Sequence, residues 1–156
     1  MGSLKGNMVR EVEIKSDGDV FLETYRYNPH YFSDMSPNTV RHVDLCEGDL
    51  GTVGSLLLWH YNDHGTADGK EKSNKVLLEI IDEEKKLMTL TAVEGDFSQQ
   101  FKTIRITLQV VKKGETEVVI WTLEYEKLSE DVEDPTPFMD ILIGVTKDIE
   151  AHHLKQ

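Results

Sequence analysis

Pro137-Phe138-Met139-Asp140-Ile141-Leu142-Ile143-Gly144-Val145-Thr146-Lys147-Asp148-Ile149-Glu150 is the stretch on which the fold turns. Phe138, Ile141, Leu142, Val145 and Ile149 recur at i, i+3, i+4, i+7 and i+11, which winds them into one apolar stripe, while Asp140, Lys147, Asp148 and Glu150 take the opposite side. The spacing predicts one long amphipathic helix, beginning after Asp134-Pro135-Thr136-Pro137. A lone stripe must be buried against something, and what lies upstream decides against what.

Upstream the period changes from helical to alternating. Residues 75–81, 86–93, 103–111 and 117–126 read as strands, separated by the turn signals Asp82-Glu83-Glu84-Lys85, Glu94-Gly95-Asp96 and Lys112-Lys113-Gly114-Glu115. Links this short cannot make the crossover that parallel pairing requires, so the strands form an antiparallel meander. Before them come an extended segment, 39–46, and a strand, 55–61, joined through Glu47-Gly48-Asp49-Leu50-Gly51-Thr52-Val53-Gly54; Asp63-His64-Gly65 and Asp68-Gly69-Lys70 mark the next loop. At the start, residues 8–15 alternate so that Met8, Val12 and Ile14 share a face with Arg10. Val20, Phe21, Tyr25, Tyr31, Phe32 and Met35 then fall at helical spacings interrupted by Asn28-Pro29, which predicts two short helices in a V. The order is strand, two short helices, six strands, long helix: an α+β chain read as a single domain over 1–156. One antiparallel sheet with one long helix to cover its apolar face must curl around it, and such a curl leaves interior volume for a guest.

Bulk properties narrow the function. A chain of 156 residues builds a core without a staple, and its one cysteine, Cys46, cannot form an internal disulfide. No secretory pattern opens the chain, Gly2 is followed by Gly6 where myristoylation needs a hydroxyl, and no apolar run approaches the roughly 20 residues of a membrane helix; a cytoplasmic protein without membrane insertion is expected. A net charge of −12 repels nucleic acid and anionic lipid. The glycine loop opens a strand rather than a helix and lacks a following Lys-Ser or Lys-Thr, so it reads as a stiff turn, not a phosphate cradle. His60-x-x-x-His64 and His152-His153 match no zinc spacing, and Cys46 beside Glu47 has no cation to stabilise a thiolate. No metal and no cofactor are expected.

Several segments together carry a resemblance. Glu11-Val12-Glu13-Ile14-Lys15, the loop from Glu47 to Ser55, Trp59-x-Tyr61, Val93-Glu94-Gly95-Asp96, Trp121-Thr122-Leu123-Glu124-Tyr125-Glu126-Lys127 and Thr146-Lys147-Asp148-Ile149-Glu150-Ala151-His152 resemble plant major latex proteins of the Bet v I superfamily, kin to pathogenesis-related class ten and START domains. The resemblance covers almost the whole chain. It implies a helix-grip fold, a seven-stranded curved antiparallel sheet around a long C-terminal helix, with an internal hydrophobic cavity. It further implies a plant protein of defence or specialised metabolism whose partner is a hydrophobic small molecule such as a steroid, fatty acid, flavonoid or alkaloid-like compound. A few such relatives are cyclases or isomerases. Leu50, His60 and Arg10 depart from the residues common there (Trp, Asn and a small residue).

With the resemblance for register and alternation for facing, the inward set comprises Leu56, Leu58 and His60; Met88, Leu90 and Ala92; Ile104, Ile106 and Leu108; Val119, Trp121, Leu123 and Tyr125; and Phe138, Ile141, Leu142 and Val145. Periodicity alone describes a filled core equally well, and only the resemblance favours a pocket. His60 and Arg10 share a face with apolar neighbours, so each needs a partner: a ligand oxygen or a reacting proton in the functional reading, solvent, a backbone carbonyl or a carboxylate in the plain one. Tyr25 and Tyr125 offer hydroxyl donors. The expected function is binding and carrying an apolar metabolite as a monomer or weak homodimer; the alternative is a cyclase or isomerase without external cofactor that uses His60, Arg10, Tyr25 or Tyr125.

Overall fold

The computed structural model describes residues 4–62 and 71–154. The loop signals Asp63-His64-Gly65 and Asp68-Gly69-Lys70, and Gly2, lie outside the described residues. Seven strands form one antiparallel sheet: β1 (Lys5–Ile14), β2 (Val40–Glu47), β3 (Leu56–Asn62), β4 (Glu71–Asp82), β5 (Leu87–Gly95), β6 (Phe101–Lys113) and β7 (Thr116–Lys127), in spatial order β1-β7-β6-β5-β4-β3-β2. Helices α1 (Gly18–Tyr27) and α2 (Phe32–Met35) carry the chain from one sheet edge to the other, with a 3-10 turn at Pro29–Tyr31 where the proline interrupts. Helix α3 (Thr136–Leu154) lies in the concavity. Among the described residues no helix is long and apolar enough to cross a membrane.

The curl has local causes. Register shifts interrupt β2–β3, β4–β5 and the start of β6–β7, and each such bulge bends its strand and raises the twist. The shift between Leu78 and Ile80 lets Val76, Leu78 and Ile81 all turn toward the core although strict alternation would eject Ile81. The glycine loop is the stiff turn expected. Gly48, Gly51 and Gly54 all have positive φ, and a Cβ on Gly51 would stand 2.3 Å from the Tyr27 ring, so the loop packs beneath α1 instead of cradling phosphate. Arg26 Nε locks it by donating to the Gly51 carbonyl at 2.9 Å.

Helix α3 is held at both ends by polar contacts. Before its first turn, Asp134 accepts from the Tyr125 hydroxyl and from Lys127 Nζ, each at 2.9 Å. Near its last turn the Ser36 hydroxyl donates to Asp148 at 2.6 Å and the Lys15 amide donates to Glu150. The helix is apolar on a wider arc than the stripe read from sequence. Met139, Thr146 and Ile149 are almost fully buried, whereas Phe138, Ile141 and Leu142 are only partly so. Thr146 is tolerated inside because its hydroxyl accepts from Trp121 Nε1 at 2.8 Å and donates to the Leu142 carbonyl at 2.7 Å.

Candidate functional site

Between α3 and the sheet lies an apolar pocket walled by four groups of residues. Helix α3 contributes Phe138, Ile141, Leu142 and Val145; β2 and β3 contribute Val40, Trp59 and Tyr61; β4 to β7 contribute Asn74, Val76, Leu90, Ile106 and Trp121; and Tyr25 of α1 and Phe97 after β5 complete it. Aromatic rings dominate. Tyr25 packs on Phe32 at 4.4 Å, Trp121 at 5.4 Å and Trp59 at 6.3 Å between centroids, and Phe97 meets Phe138 edge-on at 4.7 Å. The void itself measures about 70 Å³. An apolar cavity of about 150 Å³ is what one benzene ring takes in a protein, so this interior is nearly closed and a larger guest enters only by displacing a wall.

Three of the polar groups on that wall are spoken for. Asn74, fully buried, donates from Nδ2 to the Tyr61 hydroxyl at 2.8 Å and accepts the Phe97 amide on Oδ1 at 2.9 Å. Trp121 is engaged by Thr146. Tyr25 is the exception: among the described residues its hydroxyl has no hydrogen-bond partner. It lies deep in the fold yet keeps accessible surface because it borders the void, and burial pushes its phenol well above the usual range. A half-buried phenol with no partner among the described residues keeps its O–H available to donate to an entering oxygen or nitrogen.

Several sequence expectations about facing are corrected. Leu56, Leu58 and His60 sit on the outer surface of β3, because Leu57, Trp59 and Tyr61 take the inner one. This strand is apolar on both faces, so alternation alone cannot choose between them, and a choice wrong by one residue inverts the whole strand. Arg10 lies opposite the inward Trp121 by register, but β1 is an edge strand and its exposed guanidinium donates to the Val9 carbonyl at 2.8 Å. Tyr125 faces inward with its hydroxyl committed to Asp134; burial, then that bond, pushes its phenol up to about 12. Met88, Ile104, Leu108 and Leu123 do point inward, into the packed core and away from the void. Leu90, Ile106, Trp121 and the four α3 residues line the pocket. Missed were Val40, Trp59, Tyr61, Asn74, Val76 and Phe97; Trp59-x-Tyr61 carried the signal, as two large aromatics at strand spacing.

A family model for the pathogenesis-related protein Bet v 1 family matches residues 3–156. The chain belongs to the Bet v 1 family. Among its relatives, MLP-like protein 28 of Arabidopsis thaliana is 38% identical over 99% of this chain, which spans 45% of that protein's length. The crystal structure of ginseng major latex-like protein 151 from Panax ginseng matches with a TM-score of 0.90 at 43% identity, covering 97% of this chain and 99% of the other. Norcoclaurine synthase from Thalictrum flavum shares the Bet v 1 fold, with a TM-score of 0.78 at 20% identity over 99% of this chain and 89% of its own.

Proposed function

We propose that the protein binds a small apolar metabolite between α3 and the inner face of the sheet, with the Tyr25 hydroxyl orienting one polar atom of the guest. The observation that carries this reading is the Tyr25 hydroxyl, which has no hydrogen-bond partner among the described residues, beside an otherwise apolar or satisfied wall. The helix is the wall that yields. It is tethered at Asp134, Asp148 and Glu150, while Phe138, Ile141 and Leu142 between those tethers are partly exposed over the void. Outward bowing of that middle segment would enlarge a space of about 70 Å³ toward the roughly 300 Å³ or more of small-molecule sites.

Turnover finds less support. The pocket wall carries no carboxylate, amine or imidazole among the described residues, and the groups expected to move protons, His60 and Arg10, lie outside it. Tyr25, with its phenol pushed up by burial, is a hydrogen-bond donor rather than an acid or base near neutral pH.

The test is thermal unfolding against a panel of steroids, fatty acids and terpenoids, each paired with its deoxygenated counterpart. A ligand at a hundred times its Kd raises Tm by about 5–10 °C for a chain of this size. Tyr25→Phe is expected to erase the preference for the oxygenated partner while keeping the apolar response. A flat response across the panel refutes the reading, and conversion of a bound compound to product revives the cyclase or isomerase alternative.

A further inference from the structure

The outer face of the β2–β3 edge carries a cluster of side chains that the pocket does not use. His42 and His60 are directly opposed in the β2–β3 ladder, and their rings stack with centroids 4.0 Å apart. Asp44, two residues beyond His42 on the same face, points one oxygen at both rings: Oδ2 stands 3.2 Å from His42 Nε2 and 3.6 Å from His60 Nε2. All three donor atoms lie within 4.8 Å of one another. On the far side of His60, Glu71 of β4 places Oε1 3.5 Å from Nδ1.

We propose that His42, Asp44 and His60 form a surface site for one divalent first-row transition-metal ion of the zinc type. The donor chemistry points there: two imidazoles and one carboxylate suit zinc, copper or nickel, whereas magnesium and calcium favour oxygen alone. The spacing agrees. In a tetrahedral zinc site with bonds of about 2.0–2.1 Å, neighbouring donors stand about 3.3–3.4 Å apart, and the two nitrogen–oxygen separations here, 3.2 and 3.6 Å, bracket that edge. What must change is the angle between the two rings, since face-to-face imidazoles do not both hold one metal in their planes. His42, with 54% of its side chain exposed, is free to swing out of the stack, while His60 at 22% stays put. Glu71 contributes from behind: a carboxylate at Nδ1 fixes the tautomer that presents Nε2 to a metal, as partners of ligating histidines commonly do. The net charge of −12 favours cation approach from any direction. The site occupies the outer face of the strand whose inner face carries Trp59 and Tyr61, so it stands independently of the pocket reading.

Sequence spacing could not reveal it, because the two histidines are eighteen positions apart and meet only through strand pairing. The experiment is calorimetric titration of the chelator-stripped, untagged full chain with Zn²⁺, read alongside the visible spectrum on Co²⁺ substitution. One equivalent binds, and Co²⁺ gives the intense d–d absorption of a four-coordinate site. His42→Ala and His60→Ala each weaken binding about tenfold or more and Glu71→Gln up to about tenfold, against the 10–100-fold usual for an orienting partner. His42 is exposed enough that its variant keeps the wild-type Tm. Replacing His152 and His153 together leaves the titration unchanged. Absence of saturable binding, binding indifferent to both His42→Ala and His60→Ala, or binding lost only in the His152/His153 variant overturns the proposal.

Discussion

The space between helix and sheet has two unequal halves. In one, Leu108, Val119, Leu123 and Ile149 meet with no exposed surface, and Phe21, Met88 and Val110 close around them. In the other, Trp59, Leu90, Phe138, Ile141 and Leu142 stand around a void and keep part of their surface accessible. The same sheet and the same helix build both, so composition is not the cause. In the packed half β6 pairs with β7 in unbroken register from Thr103 to Lys113 and β1 pairs with β7 without a break from Lys5 to Ile14, whereas the β2–β3 and β4–β5 pairs that help to wall the void are bulged. On the proposed reading, one half carries stability and the other would accommodate a guest, so that a single folded state and ligand entry are served by different residues.

The largest expected effect tests this division directly. Leu123→Ala in the packed half is expected to cost about 2–5 kcal/mol in urea denaturation, while Leu142→Ala on the pocket wall costs about 1 kcal/mol, since its removed methyl groups were only partly buried. Equal losses would break the comparison. Adding bulk should act in reverse: Leu108→Trp loses about 1–3 kcal/mol by overpacking, whereas Leu90→Phe grows into the void, leaves stability unchanged and abolishes any ligand-induced rise in Tm.

The two tyrosines sharpen the comparison on a finer scale. Tyr125→Phe removes a satisfied bond to Asp134 and is expected to cost about 1 kcal/mol. Tyr25→Phe removes a hydroxyl that has no partner among the described residues, so stability stays level or rises slightly. A marked loss in Tyr25→Phe would mean that this hydroxyl is already engaged in the folded protein. The smallest effect is in acid. Lys127, then the Tyr125 hydroxyl, hold the Asp134 carboxyl below its usual range, so its contribution is present above the unfolded pKa near 3.8 and is lost as pH falls through the lower folded value. The acid limb of the wild-type stability curve should therefore fall slightly more steeply than that of Asp134→Asn, modestly because the side chain is 58% exposed and screened.

Much of the architecture was legible beforehand. The stripe at Phe138 to Ile149 announced α3, and the turn signals at Asp82-Glu83-Glu84-Lys85 and Lys112-Lys113-Gly114-Glu115 announced the hairpins, because these features are local: a helix face and a two-strand turn are written in consecutive residues. The candidate site was legible only where one face of an element is plainly apolar. That held for Ile106, Trp121 and the residues of α3, and failed on β3, where Leu56-Leu57-Leu58-Trp59-His60-Tyr61 is apolar in both registers. Asn74 and Phe97 were out of reach because their role depends on a side-chain-to-amide bond across 23 positions.

The amino-acid sequence alone determined the order of elements, the antiparallel meander and the presence of one long amphipathic helix, since periodicity and turn chemistry act over a few residues. Only tertiary structure decided which face of β3 looks inward, that the Tyr125 hydroxyl is engaged by Asp134, how little space the curl leaves, and that His42 and His60 meet across a ladder. Those outcomes depend on register and curvature, and both are set by many distant contacts acting together rather than by any run of neighbours.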